Sequence, residues 1–283
     1  MDFYRPDTLA GALEVKAEHP GALPIAGGTD VMVEINFDTR RPTALLDLTR
    51  IGELTEWSRD GAWLRVGAGV SYTRLIAELG ALLPGLALAA RTVGSPQIRN
   101  RGTIGGNLGA ASPAGDCHPV LLASGARIEA ASLAGTRIIP AADFYLGPKR
   151  NALSPDELII SVLIPVRHGP QQFAKVGTRN AMVIAVCAFA LELRPAGRGV
   201  GTGIGSAGPT PLRATEAERF LGPLLPWDTP GGPLPPDTVS AFGDLVAGAA
   251  RPIDDVRGSA AYRRHALAVL ARRTLTWAWQ EYN

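Results

Sequence analysis

The chain has 283 residues, of which 46% are hydrophobic and 19% charged, so it carries enough apolar surface for a sizeable core, and this composition argues against disorder. A formal net charge of +2 is too small for the electrostatic footprint of a nucleic-acid-binding protein. Cys117 and Cys187 are the only cysteines, which excludes a disulfide framework and any iron–sulfur cluster held by this chain's own thiolates.

The N-terminal segment carries an acid at Asp2 and has no apolar core, so it does not have the pattern of a secretory signal. The longest apolar stretch, residues 181–191, is about half of the ~20 residues that span a bilayer. We therefore expect a soluble, cytoplasmic protein.

The first predicted elements form a small α/β unit. Asp7 or Thr8 is the predicted N-cap of an opening helix, which stops at residues 19–21. Strands are predicted at residues 23–26 and 43–48. The first of these strands runs into a glycine turn and then towards a second helix, which is a strand–turn–helix arrangement.

The middle of the chain is predicted to be a second α+β lobe with antiparallel strands. A strand begins at Trp63, and Ser71 caps the helix that follows it. The further predicted elements are a helix at residues 85–93 and strands at residues 126–131, 136–139 and 157–165.

After about Gly169 a third section begins, with two predicted strands and two predicted helices. The strands cover residues 172–176 and 183–193. Asp237 is the predicted cap of the first helix, and the last helix begins at Ser259. Along this last helix, apolar side chains recur at helical spacing, namely Tyr262, Ala266, Val269, Leu270 and Trp277.

Two glycine-rich turns are the most informative motifs. The first is AGGTD at residues 26–30, and the second is RGTIGGN at residues 101–107, where Thr103 and Asn107 stand beside the glycine pair. Paired glycines lack a Cβ and adopt positive φ, which lets backbone amides converge on an anion. Two such turns can grip the two phosphates of a dinucleotide, although each alone is also compatible with an ordinary tight turn.

A literal GxGxxG runs from Gly203 to Gly208, but its surroundings do not fit a Rossmann fingerprint. Pro209 and Pro211 follow at once, where a helix should open, and no acid lies about 20 residues on. We interpret this segment as a glycine-rich strand or turn.

Polar side chains outside the turns suggest weaker hypotheses. Residues 116–118, Asp-Cys-His, lack further ligands at a metal-site spacing, and neighbouring residues rarely form a Cys–His dyad. Asp116 is better suited to hold sugar or ribityl hydroxyls. Lys175, Arg99 and Arg101 can neutralise a phosphate or donate to a flavin, but each can equally be a solvated side chain.

Five segments resemble, in order, the FAD-binding medium subunit of the molybdenum hydroxylases, which are relatives of xanthine dehydrogenase and aerobic carbon monoxide dehydrogenase. The similarity is closest to a subunit of the xanthine dehydrogenase type. The segments are residues 26–35, 95–129, 143–165, 173–185 and 255–267.

The resemblance implies an α+β fold with two domains. Residues 1–173 would form the two-lobed FAD-binding domain shared with p-cresol methylhydroxylase and vanillyl-alcohol oxidase, with lobes at about 1–55 and 56–173. Residues 174–283 would form the C-terminal domain of these flavoprotein subunits, an antiparallel sheet with helices.

The resemblance also implies cofactor-binding residues, but none that is catalytic and none that binds a metal. The first turn would wrap the FAD diphosphate, the second would grip it, Asp116 would hold hydroxyls, and Lys175 would lie near the isoalloxazine. Leu153 and Ile159 would line the flavin or adenine pocket. The full set is Pro24, Ile25, Ala26, Gly27, Gly28, Thr29, Asp30, Val31, Thr103, Ile104, Gly105, Gly106, Asn107, Asp116, Leu153, Ile159 and Lys175.

The sequence differs from some relatives in three ways. Val93 stands where some members have an aromatic residue against the flavin. The turns contain no histidine, so a covalent flavin is not expected. Two cysteines leave no room for the extra 4Fe–4S loop of some relatives.

The resemblance implies an electron-transfer subunit that receives electrons from a small 2Fe–2S subunit beside a large molybdopterin subunit, in a dimer of heterotrimers. The acceptor would be NAD, dioxygen or a quinone. One alternative is a self-contained flavin reductase or oxidase of the same fold, for which the sequence offers no clear proton donor. Another is a non-catalytic scaffold subunit, against which the intact glycine turns argue.

Overall fold

The computed structural model describes residues 1–229 and 231–282. Its first lobe is a three-stranded parallel sheet with two helices, and the central strand pairs with both neighbours. Thr8, rather than Asp7, caps the opening helix, because its Oγ1 accepts from the amide of Gly11 at 3.1 Å. The elements are β1 (Asp2–Tyr4), α1 (Leu9–Glu18), β2 (Leu23–Ile25), α2 (Val31–Asn36) and β3 (Ala44–Asp47).

The second lobe is built on a five-stranded antiparallel sheet, and a strand that the sequence did not predict lies at its edge. The strands are β4 (Trp57–Asp60), β5 (Trp63–Gly67), β6 (Arg127–Ser132), β7 (Gly135–Pro140) and β10 (Leu158–Pro165), in the order β4-β5-β10-β6-β7. A hairpin of β8 (Tyr145–Gly147) and β9 (Arg150–Asn151) stands apart from that sheet.

Six helices belong to this lobe, and those that pack on the sheet help to bury a core that includes Leu64, Val66, Ile128 and Val162. Serine and threonine side chains cap three of them, at Ser71, Ser95 and Thr103. The helices are α3 (Tyr72–Leu79), α4 (Pro84–Arg91), α5 (Pro96–Arg101), α6 (Ile104–Ala110), α7 (His118–Ser124) and α8 (Ala141–Phe144).

The remaining section is a three-stranded antiparallel sheet packed against helices around Phe189, Phe242 and Trp279. The elements are β11 (Gln171–Val176), β12 (Cys187–Arg194), β13 (Gly199–Gly205), α9 (Thr215–Leu221), α10 (Pro236–Ala249) and α11 (Ala260–Tyr282). Short 3-10 turns lie at Gly52–Leu54, Pro195–Gly197 and Gly222–Leu224.

The GxGxxG segment begins inside β13, as a strand interpretation requires. A Cβ on Gly203 would stand 1.9 Å from the carbonyl oxygen of Pro119, and one on Gly201 would stand 2.0 Å from that of Ala123. These glycines therefore let β13 lie directly against α7, and no helix opens at Gly208.

One prediction about the last helices was wrong, and the other needs detail. Asp237 lies within the first turn of α10, whose N-cap residue is Pro235. Tyr262 and Trp277 are 48% and 43% exposed, because α11 turns Leu267 and Leu275 towards α10 and the sheet instead. Among the described residues, no helix is long and apolar enough to cross a membrane.

Candidate functional site

A cavity of about 820 Å³ is lined by residues of both lobes. Its first-lobe wall comes from α1, the loop after β2, and α2, and its second-lobe wall comes from α3, α5, α6 and the β8–β10 segment. This volume lies near the upper end of the ~300–1,000 Å³ that small-molecule sites occupy. The cavity is thus large enough for a ligand of dinucleotide size.

The loop between β2 and α2 presents a row of free donors at this cavity. Within the described part of the chain, the amides of residues 27–31 donate to no backbone or side-chain acceptor. Gly28 has a φ of +73°, a conformation that side-chain-bearing residues rarely adopt. A Cβ on Gly27 would stand 1.9 Å from the carbonyl oxygen of Arg101, so this glycine allows the two walls to meet. Consecutive unpaired amides of this kind bind anions.

The second glycine pair differs from the first in where its amides donate. The amide of Gly105 donates to Ala68 O at 2.9 Å, and that of Gly106 to the capping Oγ1 of Thr103 at 2.9 Å. These amides are therefore occupied by the protein, because the segment is the first turn of α6 rather than an open loop. Gly105 instead allows close packing, since its Cβ would stand 2.5 Å from that of Ala68.

Several buried polar side-chain atoms in or near the second-lobe wall have no hydrogen-bond partner. Six buried side-chain polar atoms of the described residues have no hydrogen-bond partner, and four of them lie in this neighbourhood. They are Tyr72 Oη, Asn107 Oδ1, Asp116 Oδ1 and His118 Nε2. Tyr72 and Asn107 line the cavity directly. Buried polar groups are normally paired, so unpaired ones beside a cavity fit a polar ligand or ordered water.

Asp116 and Lys175 form a buried ion pair behind the cavity wall. The ammonium of Lys175 donates to Asp116 Oδ2 at 2.8 Å, and also to the carbonyl oxygens of Thr92 at 2.9 Å and Val183 at 3.2 Å. Burial raises the pKa of the Asp116 carboxyl, and the nearby Lys175 offsets part of this shift. Neither residue lines the cavity, so the structure gives them no direct place in its wall.

The neighbouring Cys117 and His118 are buried, and their surroundings favour the uncharged thiol and imidazole. His118 Nδ1 is paired with the hydroxyl of Tyr145 at 2.8 Å, and burial lowers the pKa of the imidazole to about 3. Burial raises the pKa of the Cys117 thiol, which disfavours a thiolate. Among the described residues, no group of three or more His, Cys, Asp or Glu side chains is arranged to hold a metal ion.

Most residues predicted for the site come together in the cavity wall. Those that line it are Pro24, Ala26, Gly27, Gly28, Thr29, Asp30, Val31, Thr103, Gly105, Gly106, Asn107, Leu153 and Ile159. Four do not, namely Ile25, Ile104, Asp116 and Lys175. Val93 also lies in the wall and offers a small apolar surface there.

Sequence reasoning missed several charged residues of the wall. Lys16 is 6% exposed and donates to the carbonyl oxygens of Pro20 at 2.6 Å and Ala22 at 2.8 Å. Glu34, Arg40 and Lys149 also line the cavity. Glu34 and Lys149 lie inside two of the segments that carry the resemblance, but their charges were not assigned to the site. Lys16 and Arg40 lie outside those segments, and only helical spacing from the buried Ala12 could have placed Lys16 on an inner face.

The residues present fit FAD. Free amides at residues 27–31 suit its diphosphate, and the unpaired Oδ1 of Asn107 suits a hydroxyl donor. Val93, Leu153 and Ile159 supply apolar surface for planar rings.

Comparison with protein-family models gives two matches that together span almost the whole chain. Residues 1–167 match the FAD binding domain in molybdopterin dehydrogenase, and residues 172–278 match the CO dehydrogenase flavoprotein C-terminal domain.

Curated relatives and solved structures agree with those matches. The nicotinate dehydrogenase FAD-subunit of Eubacterium barkeri is 31% identical over 94% of this chain and 92% of its own, and the xanthine dehydrogenase FAD-binding subunit of Escherichia coli O157:H7 is 29% identical over 98% and 95%. A chain of carbon monoxide dehydrogenase from Hydrogenophaga pseudoflava superposes with a TM-score of 0.90 at 27% identity, covering 99% of this chain and 97% of that one. A chain of quinoline 2-oxidoreductase from Pseudomonas putida 86 superposes with a TM-score of 0.90 at 26% identity, covering 100% of this chain and 98% of that one.

Proposed function

Because the chain belongs to the FAD-binding subunits of the molybdenum hydroxylases, an oxidoreductase family, we propose that it is the electron-transfer subunit of a heteromeric complex of the xanthine dehydrogenase type. In this proposal a small 2Fe–2S subunit delivers electrons, a large molybdopterin subunit oxidises the substrate, and NAD, dioxygen or a quinone is the final acceptor. The assembly would be a dimer of heterotrimers. A cytoplasmic location stays a prediction from the sequence.

The observation that carries the proposal is the row of unpaired amides at residues 27–31 facing a cavity of dinucleotide size. When bound, FAD supplies the redox chemistry, and the protein supplies binding and orientation. The loop would hold the diphosphate, while Asn107 would accept from a hydroxyl. Leu153 and Ile159 would pack against a ring and keep water from its face.

Asp116 and Lys175 remain proposed cofactor neighbours. Their ion pair is buried, and Asp116 Oδ1 has no partner among the described residues. A hydroxyl that reaches this atom would pair it without breaking the bond from Lys175, which uses Oδ2. Asp116 would therefore orient a hydroxyl, and Lys175 would keep the carboxylate charged.

We also propose a division into an FAD-binding and a C-terminal domain, predicted at residues 173 and 174. Every residue of β11, from Gln171 to Val176, has a partner in β12. A division inside one strand separates residues of a single ladder, so this pairing favours a boundary just before Gln171.

The purified chain should bind one FAD non-covalently. The residues that line the cavity include neither histidine nor cysteine, the side chains that commonly attach a flavin covalently. Acid precipitation of the reconstituted protein should release the flavin into the supernatant, where absorbance gives the stoichiometry. A yellow pellet would contradict the non-covalent assignment, and failure to take up FAD would contradict the function.

The relay role predicts that substrate reaches this chain's flavin only through the partners. Under anaerobic conditions, a purine or related substrate should leave the flavin absorbance of the isolated chain unchanged and should bleach it in the assembled complex. A complex that lacks the small subunit should not bleach. Bleaching by the isolated chain would instead favour a self-contained flavoenzyme.

A further inference from the structure

Three charged side chains in the cavity wall have no role in the proposed function so far. Glu34 lies on α2 of the first lobe, and its carboxylate accepts from Arg40 Nη1 at 3.2 Å. The same carboxylate pairs with the ammonium of Lys149, which lies between β8 and β9 of the second lobe. All three line the cavity, and the Glu34–Lys149 pair joins its two walls.

This group presents positive charge to the cavity. Two cations surround one carboxylate, which leaves a net charge of +1. The bond from Lys149, and to a lesser extent that from Arg40, holds the pKa of Glu34 below its ordinary value despite its burial. Glu34 therefore stays ionised at neutral pH and keeps both cations in position. A carboxylate alone in this wall would repel an anion, but the two cations beside it give the group a net positive charge that attracts one.

The backbone of Lys149 is held in an uncommon conformation. Its φ is +55°, in the left-handed region that non-glycine residues seldom adopt. The Lys149 amide donates to the carbonyl oxygen of Ala111 at 3.1 Å, and Ala111, at the end of α6, has a φ of +44°. Such outliers persist where the surrounding structure needs them. Here the conformation directs a second-lobe lysine across to the first-lobe wall.

We propose that Lys149 and Arg40, positioned by Glu34, bind the cofactor's diphosphate. The inference rests on the proposed function, because FAD carries its negative charge at these two phosphates. Glu34 is three residues beyond the 27–31 loop, and its amide donates to Asp30 O at 3.1 Å, so the cations stand at the same end of the cavity as the loop. Arginine offers a planar fork to phosphate oxygens, and lysine offers a compact charge.

The chain offers matched controls one residue away from each cation. Arg150 follows Lys149, and Arg41 follows Arg40, but neither control residue lines the cavity. Arg41 pairs with Asp38 on the surface, where the two side chains are 80% and 61% exposed. The variants Lys149→Met and Arg40→Met therefore remove the same charge as Arg150→Met and Arg41→Met, and only the first two change the wall.

Dissociation constants for FAD and for ADP are measured for the full chain and the four variants at low and high salt. We expect Lys149→Met and Arg40→Met each to weaken both ligands about fivefold to tenfold, which is the effect of losing one charged contact. The loss should shrink at high salt, where screening weakens the contact in the parent protein. Lys149→Arg should recover most of the affinity, and the controls should match the parent.

The outcomes separate this inference from the function on which it rests. If the parent chain does not bind FAD, the proposed function fails. If the parent binds FAD but Lys149→Met and Arg40→Met lose no more affinity than their neighbours, the diphosphate role is wrong. The diphosphate role is also wrong if the variants bind FAD more weakly but bind ADP as tightly as the parent does, because the diphosphate is common to both ligands. Thermal unfolding of each variant should show an unchanged midpoint, because Lys149 and Arg40 are half-exposed and are not expected to be needed for folding.

Discussion

Replacing Gly28 with valine should weaken FAD binding about 100-fold while the protein stays folded. Gly28 has a φ of +73°, where a β-branched residue is strained by about 1–3 kcal/mol. The loop would relieve this strain by changing φ, and the change would turn the amides of residues 27–31 away from the diphosphate. A Cβ at this position would meet Met32 Cγ at 3.3 Å and Ile25 Cδ1 at 3.6 Å, so the flexible Met32 side chain has to shift slightly but no backbone atom stands in the way.

Titration of the apoprotein with FAD, followed by flavin fluorescence, measures this effect. Gly248→Val on α10 is the matched control, because a Cβ there meets nothing within 4 Å and the residue does not line the cavity. Gly205→Ala tests the decoy motif. Its Cβ would stand 2.9 Å from Pro119 Cγ, so it should lower stability and leave the FAD affinity of the folded protein unchanged. Greater sensitivity at Gly205 than at Gly28 would revive the Rossmann interpretation.

Replacing Lys175 with methionine should destabilise the chain by about 3–5 kcal/mol at neutral pH, because it leaves the carboxylate of Asp116 buried without its cation. Both side chains are 10% exposed, so water cannot take the place of the ammonium. The control is the surface pair Arg198–Asp228, whose side chains are 62% and 73% exposed. Arg198→Met should lower the free energy of unfolding by less than about 1 kcal/mol. Urea unfolding of the apoprotein measures both changes.

The destabilisation should depend on pH in a defined direction. Burial already raises the pKa of Asp116, and removal of Lys175 takes away the group that lowers it. A carboxyl whose folded pKa is raised contributes stability at low pH and loses that contribution as pH rises through the folded pKa. The deficit of Lys175→Met should therefore be largest at neutral pH and shrink on acidification. A deficit that is equal at pH 5 and pH 7.5, or that Asp116→Asn does not relieve in the double variant, would contradict this account.

Local chemistry made the glycine loop after β2 and the helix starts predictable. A strand followed by a glycine pair and an amphipathic segment predicts a loop with free amides, because positive φ is a property of one residue. The caps Thr8 and Ser71 were likewise predictable, since a side chain and an amide three residues later suffice for the hydrogen bond. The same short range explains why the resemblance, which rests on contiguous motifs, led to the family.

Partners far apart in the chain were outside the reach of such patterns. Local patterns were enough to predict a glycine loop with free amides and a glycine-rich strand or turn, and the count of two cysteines was enough to exclude a cluster held by this chain. The packing of distant elements, by contrast, determines that the amides of Gly105 and Gly106 are occupied and which face α11 buries. It also determines that Lys149 meets Glu34, 115 residues away. Each of these features depends on which elements pack together. Packing depends on contacts between residues throughout the chain, so a pattern of neighbouring residues cannot predict it.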